Sequence, residues 1–219
     1  PEEIAGAVFF LASDDSTYMT GSELVIEDVE AVHMDPLRIG FERLGIVCDL
    51  KGTDLHVAAD QSLEIEADLG DQVPSLGDGP WPAFPADLMS IALVVATRCR
   101  GTILIHEKMF ESRLFWVDRL IAMGARIVLC DPHRVVVVGP SKLHGQVLTS
   151  PDIRAGMALV IAALCARGES VIHNIRQIDR GYERIDERLV AVLLVRRGLT
   201  RSTVLLCGEH TRGCCGNSP

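Results

Sequence analysis

The segment Asp78-Gly-Pro-Trp-Pro-Ala-Phe-Pro-Ala-Asp87 is the first place in this sequence where residue types and spacing could support chemistry. Its three prolines bar a regular helix or a central strand between Pro80 and Pro85, so a stiff, extended approach is expected there. The apolar run Leu88 to Cys99 follows and is bounded by Gly101, which gives it the length of a helix. Asp87 therefore falls in the first helical turn, where unpaired N–H groups and the helix dipole favour an anion. A carboxylate in that position can simply cap its own helix, or it can serve as a catalytic base.

Three arginines occupy comparable junctions. Arg113 follows Phe110-Glu-Ser, Arg154 stands two residues beyond Asp152 at the head of another apolar run, and Arg180 sits beside Gly181 before a further helical stretch. A planar guanidinium binds phosphate or carboxylate through two parallel N–H groups, so three of them converging would make an anion site. The alternative is ordinary surface ion pairing, and Arg184 and Arg188 among Glu183 and Glu187 fit that better. In the tail, Cys207-Gly-Glu-His210 and Cys214-Cys215 have a spacing that zinc could use. Adjacent cysteines are awkward ligands for one tetrahedral ion, however, and no metal is expected.

The elements that must carry these residues form a repeat. Ala92-Leu-Val-Val-Ala96 returns as Ala158-Leu-Val-Ile-Ala162, Cys99 as Cys165, Asp87 as Asp152 and Gly101 as Gly168. Each copy has a helix-opening Asp, an apolar helix, a Gly, a short strand (Thr102–His106; Ser170–Asn174) and a second helix. Strands at Arg126–Cys130 and Val135–Val138 lie between them. Helices are predicted near 36–44, 86–99, 113–123, 153–166 and 183–194. In the first of these, Asp35 serves as N-cap, Pro36 as first helical residue, and Leu37, Phe41 and Leu44 form one face. Strands are predicted at about 47–59 and 63–67. Units of this size bury their apolar faces only against neighbours, so the sequence predicts an α/β fold of about two and a half repeats.

Composition narrows the functional classes. The 219 residues are 48% hydrophobic with a formal net charge of -9. Residues 1–90 hold nineteen Asp and Glu against three Lys and Arg, which argues against nucleic acid as a partner. No apolar run reaches the roughly 18 residues of a membrane span. Seven cysteines without a framework point to a reducing, cytoplasmic setting. The chain opens on Pro1 with no legible leader and reads as a fragment.

Residues 1–27 resemble the C-terminal end of the short-chain dehydrogenase/reductase family, through the pattern EIA..V.FLASD…TG..L.V. That family's G-x-G-x-x-G and Tyr-x-x-x-Lys are absent, so an oxidoreductase remnant is the weaker reading. Residues 28–189 resemble the enolpyruvyl transferase family through four motifs in order: PWPAFPADL, HEKMFESRLFWVDRLIAMGA, SPDIRAGMALVIAAL and IDRGYERIDERL.

The resemblance implies repeated βαβαββ units of an inside-out α/β barrel, present here in part, with residues 1–27 as a helix–strand appendage. It implies transfer of the enolpyruvyl group of phosphoenolpyruvate to the 3′-hydroxyl of UDP-N-acetylglucosamine, with no metal or organic cofactor. By the same resemblance Asp87 is the base, Arg113, Arg154 and Arg180 contact phosphoenolpyruvate, and Met109 lies near the uridine. The family's proton-donating Cys loop and its N-terminal Lys-Asn pair have no counterpart, so the residues present are expected to be inactive alone. A non-catalytic, anion-binding fragment is the alternative. From residue 190 the likeness stops, the charge turns basic, and a disordered tail or a shifted reading frame is expected, with a helix extension over Val190–Leu194 and a strand at Ser202–Leu206 as its candidate elements.

Overall fold

The computed structural model describes residues 23–58, 60–182, 185 and 202–207. The helix of the 1–27 appendage, most of the helix read at 183–194, the Glu183 to Arg188 pairs and the tail residues His210, Cys214 and Cys215 lie outside them.

The first unit opens with strand β1 (Glu23–Ile26), helix α1 (Ala31–Glu42), and strands β2 (Cys48–Lys51) and β3 (Asp54–Ala58). These strands make an antiparallel sheet in the order β1-β3-β2, with Leu24 opposite Val57 and Cys48 opposite that same Val57. The single strand expected over 47–59 is therefore a hairpin, folded at Gly52, whose φ of 68° suits the turn. Helix α1 begins five residues earlier than expected, at Ala31 after an N-cap Glu30, and Pro36 lies inside it. Asp35 is consequently a helical residue paired with Arg38 at 3.3 Å, not a cap. The predicted face holds, since Leu37, Phe41 and Leu44 are all buried. Leu63 to Glu66 alternates as half-buried and exposed but forms only an isolated bridge, Glu64 to Arg100. Its backbone is tied instead to two different neighbours, Gly45 through Leu63 and Arg100 through Ile65.

The second unit contains β4 (Ser75–Gly77), α2 (Ala86–Ala96), β5 (Gly101–His106), a 3-10 turn at Arg113–Trp116, α3 (Val117–Ala122), β6 (Ile127–Asp131) and β7 (Arg134–Gly139). Its sheet runs β4-β5-β7-β6, with β4 parallel to β5 and the hairpin β6–β7 antiparallel to it. The third unit has β8 (Val147–Thr149), α4 (Ile153–Cys165), β9 (Gly168–His173) and a short α5 (Arg176–Asp179). Strand β10 (Ser202–Cys207) closes that sheet in the order β10-β9-β8. The strand expected in the tail thus exists and pairs along its whole length with β9, so residues 202–207 are not disordered. It runs parallel to β9, with Ser202 opposite Gly168 and Cys207 opposite His173, whereas β7 runs antiparallel to β5.

Helices α2 and α4 are the centre of the molecule and pack against one another. Every residue from Leu88 to Ala96 and from Ala155 to Ala163 is buried. A helix apolar on all sides is stable only when protein covers all of it, which is why both runs lack a polar stripe. Each is followed by a glycine that starts the next strand with positive φ, Gly101 at 128° and Gly168 at 92°. That shared backbone need is what makes the repeat visible in the sequence.

Candidate active site

Asp87 and Arg154 belong to different repeats and meet at the adjoining N-termini of the two central helices. Asp87 is the second residue of α2 and Arg154 the second of α4. The Arg154 Nε–H donates to Asp87 Oδ1, and the side chains remain 36% and 64% exposed. The loop before α2 explains how Asp87 is held. The chain does not run extended through its prolines. It folds back so that Phe84 bridges Asp78, Gly79 N–H donates to the Phe84 carbonyl at 3.3 Å, and Ala83 N–H donates to Pro80 at 2.9 Å. Phe84 is buried edge-on against Phe41 of α1, the ring centroids 5.6 Å apart. A closed loop with an aromatic anchor thus delivers Ala86 and Asp87.

Asp152 caps α4, its Oδ1 accepting the N–H groups of Arg154 at 2.8 Å and Ala155 at 3.0 Å. Of the two related helix-opening aspartates, then, Asp152 spends its carboxylate on its own helix and Asp87 does not. The two uses of a first-turn carboxylate left open by the sequence are divided between the repeats.

Arg180 lies in the turn after α5, its guanidinium 3.5 Å from Gln177 Oε1. That turn sits on the head of α4, because a Cβ on Gly181 would come within 2.8 Å of the Ile153 side chain. Arg113 opens the 3-10 turn immediately after Ser112, which holds a left-handed φ of 60°. The Arg113 guanidinium stacks over the Phe110 ring at 3.5 Å and is 3.5 Å from Glu107 Oε1. Met109 is 45% exposed, and its N–H donates to Asp78 Oδ2 at 3.3 Å. The structure therefore brings Asp87 and Arg154 into direct contact and seats the Arg180 turn on the same helix end. Arg113 is held separately, by Glu107 and Phe110.

Sequence reading missed two acidic residues here. Asp78 is buried and receives the N–H groups of Lys108 and Met109, which fixes the loop before Arg113. Glu107 is buried beneath Arg113, and that burial pushes its carboxyl up to about 7, against the pull of Arg113 and with Asp78 and Asp152 adding to the rise. Glu107 stands in the run His106-Glu-Lys108, which reads as surface charge. Only its place directly after an apolar strand hinted otherwise.

Among the described residues no group of three His, Cys, Asp or Glu could hold a metal, and no helix is long and apolar enough to cross a membrane. A depression of about 290 Å³ between α3 and β8, lined by Arg119, Gln146 and Thr149 among others, includes none of the candidate residues. At the paired helix N-termini Asp87 and Arg154 remain partly exposed, which suits capture of a small charged group.

Comparison with known proteins agrees with this architecture. The chain is 62% identical over 174 residues to the UDP-N-acetylglucosamine 1-carboxyvinyltransferase of Bradyrhizobium diazoefficiens, covering 80% of this chain and 40% of that protein. It is 59% identical over 174 residues to the protein of the same name from Treponema denticola, covering 80% and 41%. The chain thus spans about two fifths of the length of these curated relatives. Among solved structures, the enolpyruvyl transferase NikO from Streptomyces tendae matches with a TM-score of 0.66 at 22% identity, over 85% of this chain and 42% of that one. EPSP synthase from Acinetobacter baumannii matches with a TM-score of 0.51 at 16% identity, over 84% and 44%. These two likenesses show the fold, a partial α/β fold of the enolpyruvyl transferases. The model of the EPSP synthase (3-phosphoshikimate 1-carboxyvinyltransferase) family matches residues 3–189, a span that includes most of the dehydrogenase-like opening. With most of its length matched in this way, the chain belongs to the EPSP synthase family.

Proposed function

We propose that these residues form one wall of an enolpyruvyl transferase site that joins phosphoenolpyruvate to the 3′-hydroxyl of UDP-N-acetylglucosamine, a step towards peptidoglycan. The contact between Asp87 and Arg154 across two repeats is the observation that carries this reading. It puts a carboxylate and a guanidinium side by side at two helix N-termini, which supports roles as proton acceptor and anion ligand. Asp87 takes the hydroxyl proton as the oxygen attacks. Arg154, Arg113 and Arg180 bind the phosphate and carboxylate of phosphoenolpyruvate, and exposed Met109 borders the uridine. In the resting arrangement Arg154 neutralises Asp87. Phosphoenolpyruvate competes for that guanidinium and frees the carboxylate to act as base.

The acid that must protonate the methylene carbon is not supplied by this wall. General acids and bases each contribute about 10²–10⁴-fold, and positioning of two substrates contributes more. Residues 1–219 alone therefore bind without turnover, and the work is done in the cytoplasm when the opposing wall is present. Calorimetric titration tests this. Heat from UDP-N-acetylglucosamine and none from NADH is expected; binding of NADH alone refutes the reading. A phosphate-release assay with both substrates should be blank for these residues. Turnover that Asp87→Ala abolishes would show that they suffice.

A further inference from the structure

Glu107 is a buried carboxyl that the proposed reaction does not use. It directly follows β5, and its backbone is fixed at both ends: its N–H donates to the His133 carbonyl at 2.8 Å, and His133 Nδ1 lies 3.0 Å from its own carbonyl oxygen. The side chain is only 2% exposed. Oε1 is 3.5 Å from Arg113, at the limit of a hydrogen bond, and Oε2 is buried without a partner among the described residues. A carboxylate so placed is poorly compensated. Arg113 is 24% exposed and backed by the Phe110 ring, so one edge of its fork faces Glu107 while the rest of its five N–H donors is left for another anion. The charged groups facing Glu107 are Arg113 from the loop after β5, Asp78 from the loop after β4 and Asp152 from the head of α4; His133 approaches from the β6–β7 turn through its ring nitrogen. Only the arginine favours the ionised form of Glu107, and both aspartates oppose it.

We propose that Glu107 is the positioning residue for Arg113, and that capture of a small oxyanion by Arg113 is coupled to uptake of one proton by Glu107. The inference rests on the reading of Arg113 as an anion ligand. With no anion bound, Glu107 carboxylate and Arg113 guanidinium neutralise one another. An oxyanion that engages the outer N–H groups takes over the positive charge. Glu107 is then a buried negative charge beside Asp78 and Asp152, and it takes a proton from solvent. The charge balance closes: a pair plus an anion plus a proton becomes an arginine–anion pair and a neutral carboxyl. Burial already pushes the Glu107 carboxyl up to about 7, so the exchange falls near neutrality. Reciprocity then requires anion affinity to fall about tenfold per pH unit above the Glu107 midpoint.

The test uses the whole chain, labelled for the glutamate carboxyl carbon and the arginine Nε–H, with sulfate as the probe because it does not titrate near neutrality. The Glu107 carbon should titrate near neutrality. The Arg113 Nε–H signal should follow the same midpoint, Glu107→Gln should remove that response, and sulfate should raise the midpoint. An Arg113 signal flat with pH, or one that still titrates in Glu107→Gln, overturns the pairing. Sulfate that moves Arg113 but leaves the Glu107 midpoint in place overturns the coupling and spares the reading of Arg113 as an anion ligand. An Arg113 signal that follows pH but ignores sulfate overturns that reading, and the coupling with it. If Glu107→Gln does not fold, Arg113→Gln decides the pairing, because the Glu107 midpoint must then rise; an unchanged midpoint overturns it.

Discussion

Phe84 links the packing of α1 to the placement of Asp87, and its energetics can be isolated by changing the residue it presses on. It is 5% exposed and lies edge-on to Phe41. Phe84→Ala is expected to cost about 3–5 kcal/mol, the usual range for a buried Phe, of which about 0.5–1.5 kcal/mol belongs to the ring pair. Truncation alone would not show where the ring sits, so the informative partner is Gly40 of α1. A Cβ there would lie 2.1 Å from Phe84 Cδ2 and 2.4 Å from Cε2, and the three nearest atoms all belong to that ring. Overpacking of this kind costs about 1–3 kcal/mol. Against it, Gly→Ala inside a helix gains about 0.8–1.0 kcal/mol. Gly40→Ala should therefore destabilise the wild-type chain by up to about 2 kcal/mol and stabilise the Phe84→Ala chain by about 1 kcal/mol. The measurement is a double-mutant cycle by urea denaturation followed by circular dichroism. A Gly40→Ala effect of the same sign and size in both backgrounds refutes the placement of Phe84, and with it the account of how the proline loop delivers Asp87.

Three further outcomes are expected. Because the folded-state pKa of Glu107 is raised from 4.5 to about 7, the unfolded chain loses that proton first, so the contribution of Glu107 to stability is complete below 4.5 and lost as pH rises through about 7. That loss is on the order of 3 kcal/mol, and urea titrations on either side of this window should show a flatter pH dependence in Glu107→Gln. Burial pushes the Cys99 thiol up to about 12 and the Cys48 thiol up to about 11, while Cys130 is exposed. Peptide mapping after brief alkylation at neutral pH should find Cys130 modified well ahead of the other two, with the difference vanishing in denaturant. The Asp87–Arg154 pair is solvent-accessible, so Asp87→Asn and Arg154→Gln should each change stability by less than about 1 kcal/mol. Arg154→Gln should nonetheless weaken the heat signal from phosphoenolpyruvate, which separates a ligand role from a structural one.

The sequence is most legible where one physical demand acts alone. Leu88–Ala96 and Ala155–Ala163 must be covered on every side, so their composition announces central helices, and the glycines that follow mark the period. It is least legible where tertiary contacts compete with local signals. Asp35-Pro36 looks like a helix start, yet the packing of Met34 and Leu37 carries α1 through it. The proline loop looks extended until Phe84 finds Phe41. Strands β4 and β8 are three residues each, too short for any alternation to register. Asp87 and Arg154 could be singled out from helix-start chemistry, whereas Glu107 could not, because burial of a charged residue depends on neighbours distant in sequence.

The final strand has a consequence for the edge of the third sheet. In the second unit the place beside the central strand is filled by a returning hairpin, and in the third by a single strand of opposite polarity. The flank of β9 is thus covered by a parallel strand where the matching flank of β5 is covered by an antiparallel one. Antiparallel and parallel ladders differ little in stability per residue, and a short run of β-forming residues, Thr203 to Leu206, suffices to fill that place. Through residues 202–207 that flank is paired along its length, so it does not stand as an open template for aggregation.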